Sequence, residues 1–123
     1  MKAQVSSKAT NNEIVKLNPQ QKAAAQYSGS AQNLLITAGA GCGKTRTIIA
    51  RAAHLIRSGI DASRILMMTF TNRAAREMKT RLKSKVGLVS NKVQAGTFHA
   101  FCLKVILLIR SLFGSLLALE LDP

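Results

Sequence analysis

Ala38-Gly39-Ala40-Gly41-Cys42-Gly43-Lys44-Thr45 is the stretch that decides the fold of this chain. An apolar run, Leu34-Leu35-Ile36-Thr37, precedes it, and a helix-patterned run from Arg46 to Arg57 follows. Strand, glycine-rich turn, Gly-Lys-Thr and helix, in that order, are the layout of a phosphate-binding P-loop. Converging backbone N–H groups and a helix N-terminus favour an anion there. Gly39, Gly41 and Gly43 let the backbone approach closely and take a positive φ. Lys44 is expected to reach the β- and γ-phosphates, and the Thr45 hydroxyl to hold Mg²⁺. The strict pattern has Gly in the first place, where this chain has Ala38.

The flanking sequence extends this into an α/β pattern. Asn18, Pro19 and Gln21 form a helix start with the spacing of a capping box. That helix runs through Ala23, Ala24 and Ala25, with Gly29 as its stop. Leu34 to Thr37 reads as the first strand, apolar on both faces as in a covered parallel sheet. The helix opening at Lys44 buries Ile48, Ile49, Ala52, Leu55 and Ile56, and Gly59 ends it. Ile65 to Phe70 is the second strand. Thr71 or Asn72 caps a third helix with the stripe Ala74, Ala75, Met78, Leu82 and Val86. Val93 to Gly96 is a weak third strand, and a last helix begins near Thr97 to Ala100. Strands alternating with helices argue for a parallel sheet flanked by helices.

The 123 residues carry 18 basic and 5 acidic side chains, a net charge of +13. Such an imbalance points to a polyanionic partner, nucleic acid first, with a ribosome or a membrane surface as the other reading. The two cysteines, Cys42 and Cys102, suggest no disulfide framework, in keeping with a reducing compartment. Residues 1–16 read as a mobile polar leader without a secretory apolar stretch. The apolar run Val105 to Leu119 is too interrupted and short for a membrane span and reads as a buried core helix, and residues 106–123 are set apart as an apolar helical tail. Cys102, in an apolar run of its own helix, is expected to be a slow thiol, and Cys42, among backbone N–H donors, a reactive one.

Three further segments resemble one family. Leu17-Asn18-Pro19-Gln20-Gln21 is similar to the Q motif of superfamily 1 DNA helicases of the UvrD/Rep/PcrA type. The run from Ile65 to Met78, with Phe70-Thr71-Asn72-Arg73 at its centre, resembles their motif Ia. Ala95 to Phe101 resembles the Gly-Thr-Phe-His segment that follows. Together with the glycine loop they stand in the family's order over about residues 17 to 105. The resemblance implies a RecA-like P-loop NTPase domain, incomplete here, as the N-terminal part of an ATP-dependent DNA helicase of 3′–5′ polarity. It implies a cytoplasmic, nucleoid-associated protein acting with ATP and Mg²⁺ on single-stranded DNA and duplex junctions, without a membrane. The remainder of the helicase motor domains would be missing from this chain.

The same resemblance implies roles. Gln21 would donate to adenine N7 and accept from N6; read from the residues alone, it only closes the capping box. Ala38, Gly39, Ala40, Gly41, Cys42, Gly43, Lys44, Thr45 and Arg46 would surround ATP, with Lys44 and Thr45 as the catalytic pair. Phe70, Thr71, Asn72, Arg73, Thr97 and His99 would touch DNA. Phe70 read from spacing alone can equally be core, and a lone His99 structural. The helix carrying Arg73, Arg76, Lys79, Arg81, Lys83 and Lys85 against the single acid Glu77 reads as a track for a DNA backbone.

A working NTPase also needs an acid for Mg²⁺ and a residue that orients water. The acids here are Glu13, Asp61, Glu77, Glu120 and Asp122, and none stands in an Asp-Glu pair. The expectation is a fragment that binds nucleotide without catalysis on its own. The alternative from another class is a non-catalytic nucleotide- and DNA-binding module. A small P-loop kinase leaves the basic helix and Gly-Thr-Phe-His unexplained.

Overall fold

A computed structural model of the chain describes residues 17–120, with side chains through residue 114. The expected leader, residues 1–16, and the last three residues lie outside the described residues.

The first helix, α1 (Pro19–Ala25), begins in a complete capping box. Asn18 Oδ1 accepts from the Gln21 backbone N–H at 2.8 Å, and Gln21 Oε1 accepts from the Asn18 N–H at 3.1 Å. Two otherwise orphaned donors are thereby satisfied. The helix ends at Ala25, short of Gly29. The reason is tertiary: Arg51, from the next helix, donates to the carbonyls of Ala25 and Tyr27, so the last turn needs no continuation to satisfy them.

Helix α2 (Lys44–Arg57) follows the glycine loop. Its end is a Schellman motif: the Ile60 N–H reaches Leu55 O at 3.0 Å and the Gly59 N–H reaches Ile56 O at 3.1 Å. Gly59 supplies the left-handed residue, with φ 97°. The buried face of α2 is Thr47, Ile49, Ala52 and Ala53. It is rotated slightly from the expected stripe: Ile48 is exposed, and Leu55 and Ile56 are half-buried.

A 3₁₀ turn (Ala62–Arg64) leads into β1 (Leu66–Thr69). Asp61 caps that turn, and the Ser63 N–H that it accepts holds its carboxyl below the ordinary aspartate value. Helix α3 (Asn72–Val86) is capped by Thr71, whose Oγ1 accepts from the Ala74 N–H at 3.1 Å. A 3₁₀ segment (Gly87–Lys92) returns the chain to β2 (Gln94–Thr97), and α4 (Phe98–Glu120) follows without a break. Strands β1 and β2 pair in parallel, Leu66 opposite Gln94 and Thr69 opposite Thr97. A parallel pair requires a crossover, and α3 is that crossover. The protein is therefore α/β, with a small two-stranded parallel sheet and flanking helices.

The core lies between α2, α3 and one face of the sheet. Ile49, Ala52, Ala53, Ala62, Met67, Met78, Leu82 and Val93 form one buried cluster. Ile49 and Leu82 are almost fully enclosed; each such side chain contributes about 1.5–3 kcal/mol relative to exposure. Val86 packs against the cluster from the end of the α3 stripe.

Two expectations fail. Leu34 to Thr37 forms no strand, and Leu35 is 86% exposed. A strand exists only as a ladder, and among the described residues β1 and β2 pair only with one another. The tail also departs from its expected burial. It is helical, as expected, but every residue from Cys102 to Gly114 is exposed. No described element packs over that part of α4. Among the described residues, no helix is long and apolar enough to cross a membrane.

Candidate functional site

The glycine loop is shaped by two left-handed residues, Gly41 at φ 75° and Gly43 at φ 78°. Gly43 is also the N-cap of α2, so the loop delivers the chain directly into a helix N-terminus. The left-handed φ at Gly43 favours glycine, and a Cβ there would lie 2.9 Å from Gln21 Nε2 and displace that amide. Gly39 accepts a loop-closing bond from the Cys42 N–H at 3.4 Å. The Cys42 Sγ lies 3.8 Å from Ala40 O.

Lys44 folds back over this loop. Its Nζ donates to Ala38 O at 2.7 Å and to Gly39 O at 2.9 Å. The ammonium is thus held at the mouth of the loop by two carbonyls. Such contacts are exchangeable for stronger acceptors such as anionic oxygens. Thr45 is exposed on the first turn of α2. Its hydroxyl is a hard oxygen donor of the kind a magnesium ion takes. Thr47, two residues further on and on the opposite side of the helix, is buried and donates to Gly43 O at 3.1 Å, which ties the helix to the loop.

Gln21 joins α1 to the loop. While its Oε1 closes the capping box, its Nε2 donates to Cys42 O at 2.8 Å. A primary amide has two donor hydrogens and two acceptor lone pairs. One of each is used here, which leaves one of each. Gln21, Lys44, Thr45, Arg46 and the loop glycines line a cavity of about 490 Å³. Ala38 borders a neighbouring cavity of about 320 Å³ with Gln21 and Lys44.

Arg81 also lines the loop cavity. The sequence reading placed it on an extended basic track; the structure brings it from α3 to the glycine loop, where it forms an ion pair with Glu77. Helical spacing could have separated it, since Arg81 falls on a different side of α3 from Arg76, Lys79 and Lys83. Those three are exposed. Lys85 is half-buried, and its backbone carbonyl accepts from Arg57 at 2.8 Å, so this end of α3 is tied to α2.

The second group of residues sits at the C-terminal ends of the two strands. Phe70 is 82% exposed and is not core. Its ring lies 5.2 Å from that of Phe98, tilted by 41°. Phe98 lies within the Gly-Thr-Phe-His segment but is given no role by the sequence. Thr71, Asn72 and Arg73 are exposed beside Phe70, at the start of α3. His99 is exposed on the first turn of α4. Thr97 is different: it is buried, and its Oγ1 accepts from the Ala100 N–H at 3.2 Å as the cap of α4. Its hydroxyl proton and one oxygen lone pair remain. Both cysteines are exposed, so the expectation of a sequestered Cys102 fails with the burial of its helix. Among the described residues, no group of His, Cys, Asp and Glu could hold a metal ion.

Comparison with known proteins gives a consistent result. The family model described as the UvrD/REP helicase N-terminal domain matches residues 17–112. The ATP-dependent DNA helicase UvrD1 of Mycobacterium tuberculosis is 43% identical over 91 residues, 73% of this chain and 12% of that protein. The ATP-dependent DNA helicase SRS2 of Saccharomyces cerevisiae is 39% identical over 113 residues, 89% of this chain and 9% of that protein. The ATP-dependent DNA helicase PcrA of Bacillus subtilis is 39% identical over 98 residues, 79% and 13% of the two chains. The chain thus spans about a tenth of the length of the curated relatives that it matches.

Proposed function

The chain belongs to the UvrD/REP helicase N-terminal domain family, and from that premise we propose that it carries the nucleotide-binding front of an ATP-dependent DNA helicase. Residues 17–105 hold the P-loop NTPase part, and residues 106–123 form an apolar tail, helical through Glu120. The observation that carries this reading is the loop itself. Left-handed Gly43 opens α2, Lys44 Nζ rests on two loop carbonyls, and Gln21 bridges to Cys42.

ATP phosphates would enter among the loop N–H groups and take Lys44 from the carbonyls of Ala38 and Gly39. The residues fit a magnesium ion at Thr45, which would neutralise phosphate charge when bound. Arg46 and Arg81 border the same cavity and would add positive charge beside the phosphates. Gln21 would use its remaining donor and acceptor on adenine N7 and N6 while keeping both intrachain bonds.

Single-stranded DNA would lie across the strand ends. Phe70, backed by Phe98, offers a ring face to a base without reading sequence. Thr71, Asn72, Arg73 and His99 would contact phosphate or sugar, and Thr97 would offer its hydroxyl proton while capping α4. Arg76, Lys79 and Lys83 would supply the electrostatic part. In a longer enzyme, nucleotide-driven closure of two motor domains would move the strand in the 3′–5′ direction. Alone, this chain would hold ATP and single strands without turnover, in the cytoplasm at the nucleoid.

The test is anisotropy of a labelled single strand, the matching duplex and heparin as competitor. The reading expects the single strand to bind more tightly than the duplex, and Phe70→Ala to remove that preference. Equal binding to strand and duplex, with heparin competing according to charge alone, would reduce the site to a cationic surface.

A further inference from the structure

We infer that Arg51 is a positioning residue for base recognition: it fixes α1 on α2 so that the Gln21 amide stays on the adenine edge. The inference rests on the reading of Gln21 as the adenine contact.

Helix α1 has seven residues, and isolated helices shorter than about 12 residues are marginal in water. Its apolar anchor is small. Ala25 is its buried residue, while Gln20, Lys22 and Ala23 are exposed. One buried methyl group cannot fix the direction of a helix, so polar ties must do it. Gln21 Nε2 donates to Cys42 O at 2.8 Å. One turn further along α1, Arg51 Nη1 donates to Ala25 O at 3.3 Å and also to Tyr27 O. Arg51 itself stands one turn beyond Thr47, which is bonded to Gly43 O at 3.1 Å. The glycine loop, α2 and α1 thus form a closed frame, tied through Gln21 at one end and through Arg51 at the other.

A short helix held at one point pivots; ties one turn apart, about 5.4 Å, prevent that. The pivot matters because the Gln21 amide is already committed on two sides, to the Asn18 N–H and to Cys42 O. Its remaining donor and acceptor point where α1 sets the amide plane. Hydrogen bonds weaken steeply with angle, so a tilt of α1 removes the base contact. The phosphate contacts come from the loop and the start of α2 and do not depend on that tilt. Arginine suits the task. One planar terminal nitrogen offers two hydrogens in fixed directions, one for each carbonyl. Its charge also lies at the C-terminal end of α1, where the free carbonyls favour a cation.

Competition against a fluorescent nucleotide on the full chain tests this, with ATP, GTP and inorganic tripolyphosphate as competitors. Arg51→Met keeps the apolar stem and removes the donors. It should weaken ATP roughly 2- to 12-fold, the weight of one hydrogen bond to the base. Tripolyphosphate, which has no base, should bind as before, and that also shows that the loop is still formed. Arg51→Lys keeps the charge and a donor on a shorter reach, and its ATP affinity should fall between wild type and Arg51→Met. In a Gln21→Ala background, Arg51→Met should change ATP affinity no further. Equal weakening of ATP and tripolyphosphate would overturn the inference, because Arg51 would then support the whole site. So would unchanged ATP affinity, or a loss as large without Gln21 as with it. The reading of Gln21 is judged separately: if wild type and Gln21→Ala share one ATP-to-GTP ratio, the base contact itself fails, and the role of Arg51 with it.

Discussion

Replacing Gln21 by alanine separates two jobs that the same amide performs. The side chain closes the α1 capping box and holds Cys42 O of the glycine loop at 2.8 Å, and one donor and one acceptor remain. If those two groups read adenine, their loss removes two hydrogen bonds to ATP; guanine shares the N7 acceptor but presents O6 where adenine has an amino group, so the bond accepted from N6 is made to ATP alone. At about 0.5–1.5 kcal/mol each, the change in ATP affinity is about 1–3 kcal/mol, roughly 5- to 150-fold. GTP should weaken less, by at most the N7 bond together with whatever the loop loses when Cys42 O is released. Competition of ATP and GTP against a fluorescent nucleotide, on both proteins, measures the difference. Asn18→Ala controls for the cap, because it breaks the box and leaves the amide in place. Equal losses for ATP and GTP would refute the adenine reading and reduce Gln21 to a brace between α1 and the loop.

Three other outcomes follow from the same geometry. Phe70→Ala should weaken single-stranded DNA by about 1–3 kcal/mol, read by anisotropy, if its exposed ring is the proposed stacking platform. Neutralising two of Arg76, Lys79 and Lys83 should flatten the plot of log affinity against log salt by about 0.7 per lost phosphate contact; an unchanged slope makes them a solvated face. Leu82→Ala should destabilise the fold by about 2–5 kcal/mol in a urea titration, since Leu82 is enclosed between α2 and α3.

Local chemistry was legible wherever a motif contains its own partners. The capping box of Asn18 and Gln21, the Thr71 cap, the Gly59 stop and the α3 stripe all depend on residues within a few positions of one another. So does the opening of α2 at Lys44. What was not legible depends on distant partners. The run Leu34 to Thr37 has strand composition, but a ladder needs a neighbour, and no described strand pairs with it. The apolar composition of α4 implied a cover, and composition does not say whether one is present. Arg51 ending α1 is a contact between elements that no spacing rule contains; spacing on α3 sets Arg81 apart from the basic track, but not that it meets the loop. Thr97 was legible as a residue of a motif, but its burial under α4 was not.

The central claim is that phosphate sits in the glycine loop, and Lys44→Ala tests it most directly. Lys44 Nζ, now on Ala38 O and Gly39 O, would move to the phosphates when ATP binds. A charge-assisted hydrogen bond contributes about 1.5–3 kcal/mol. Titration of a fluorescent ATP analogue should therefore show affinity reduced roughly 10- to 150-fold in the variant, with single-stranded DNA binding retained. Equal nucleotide affinity in the two proteins would contradict the account.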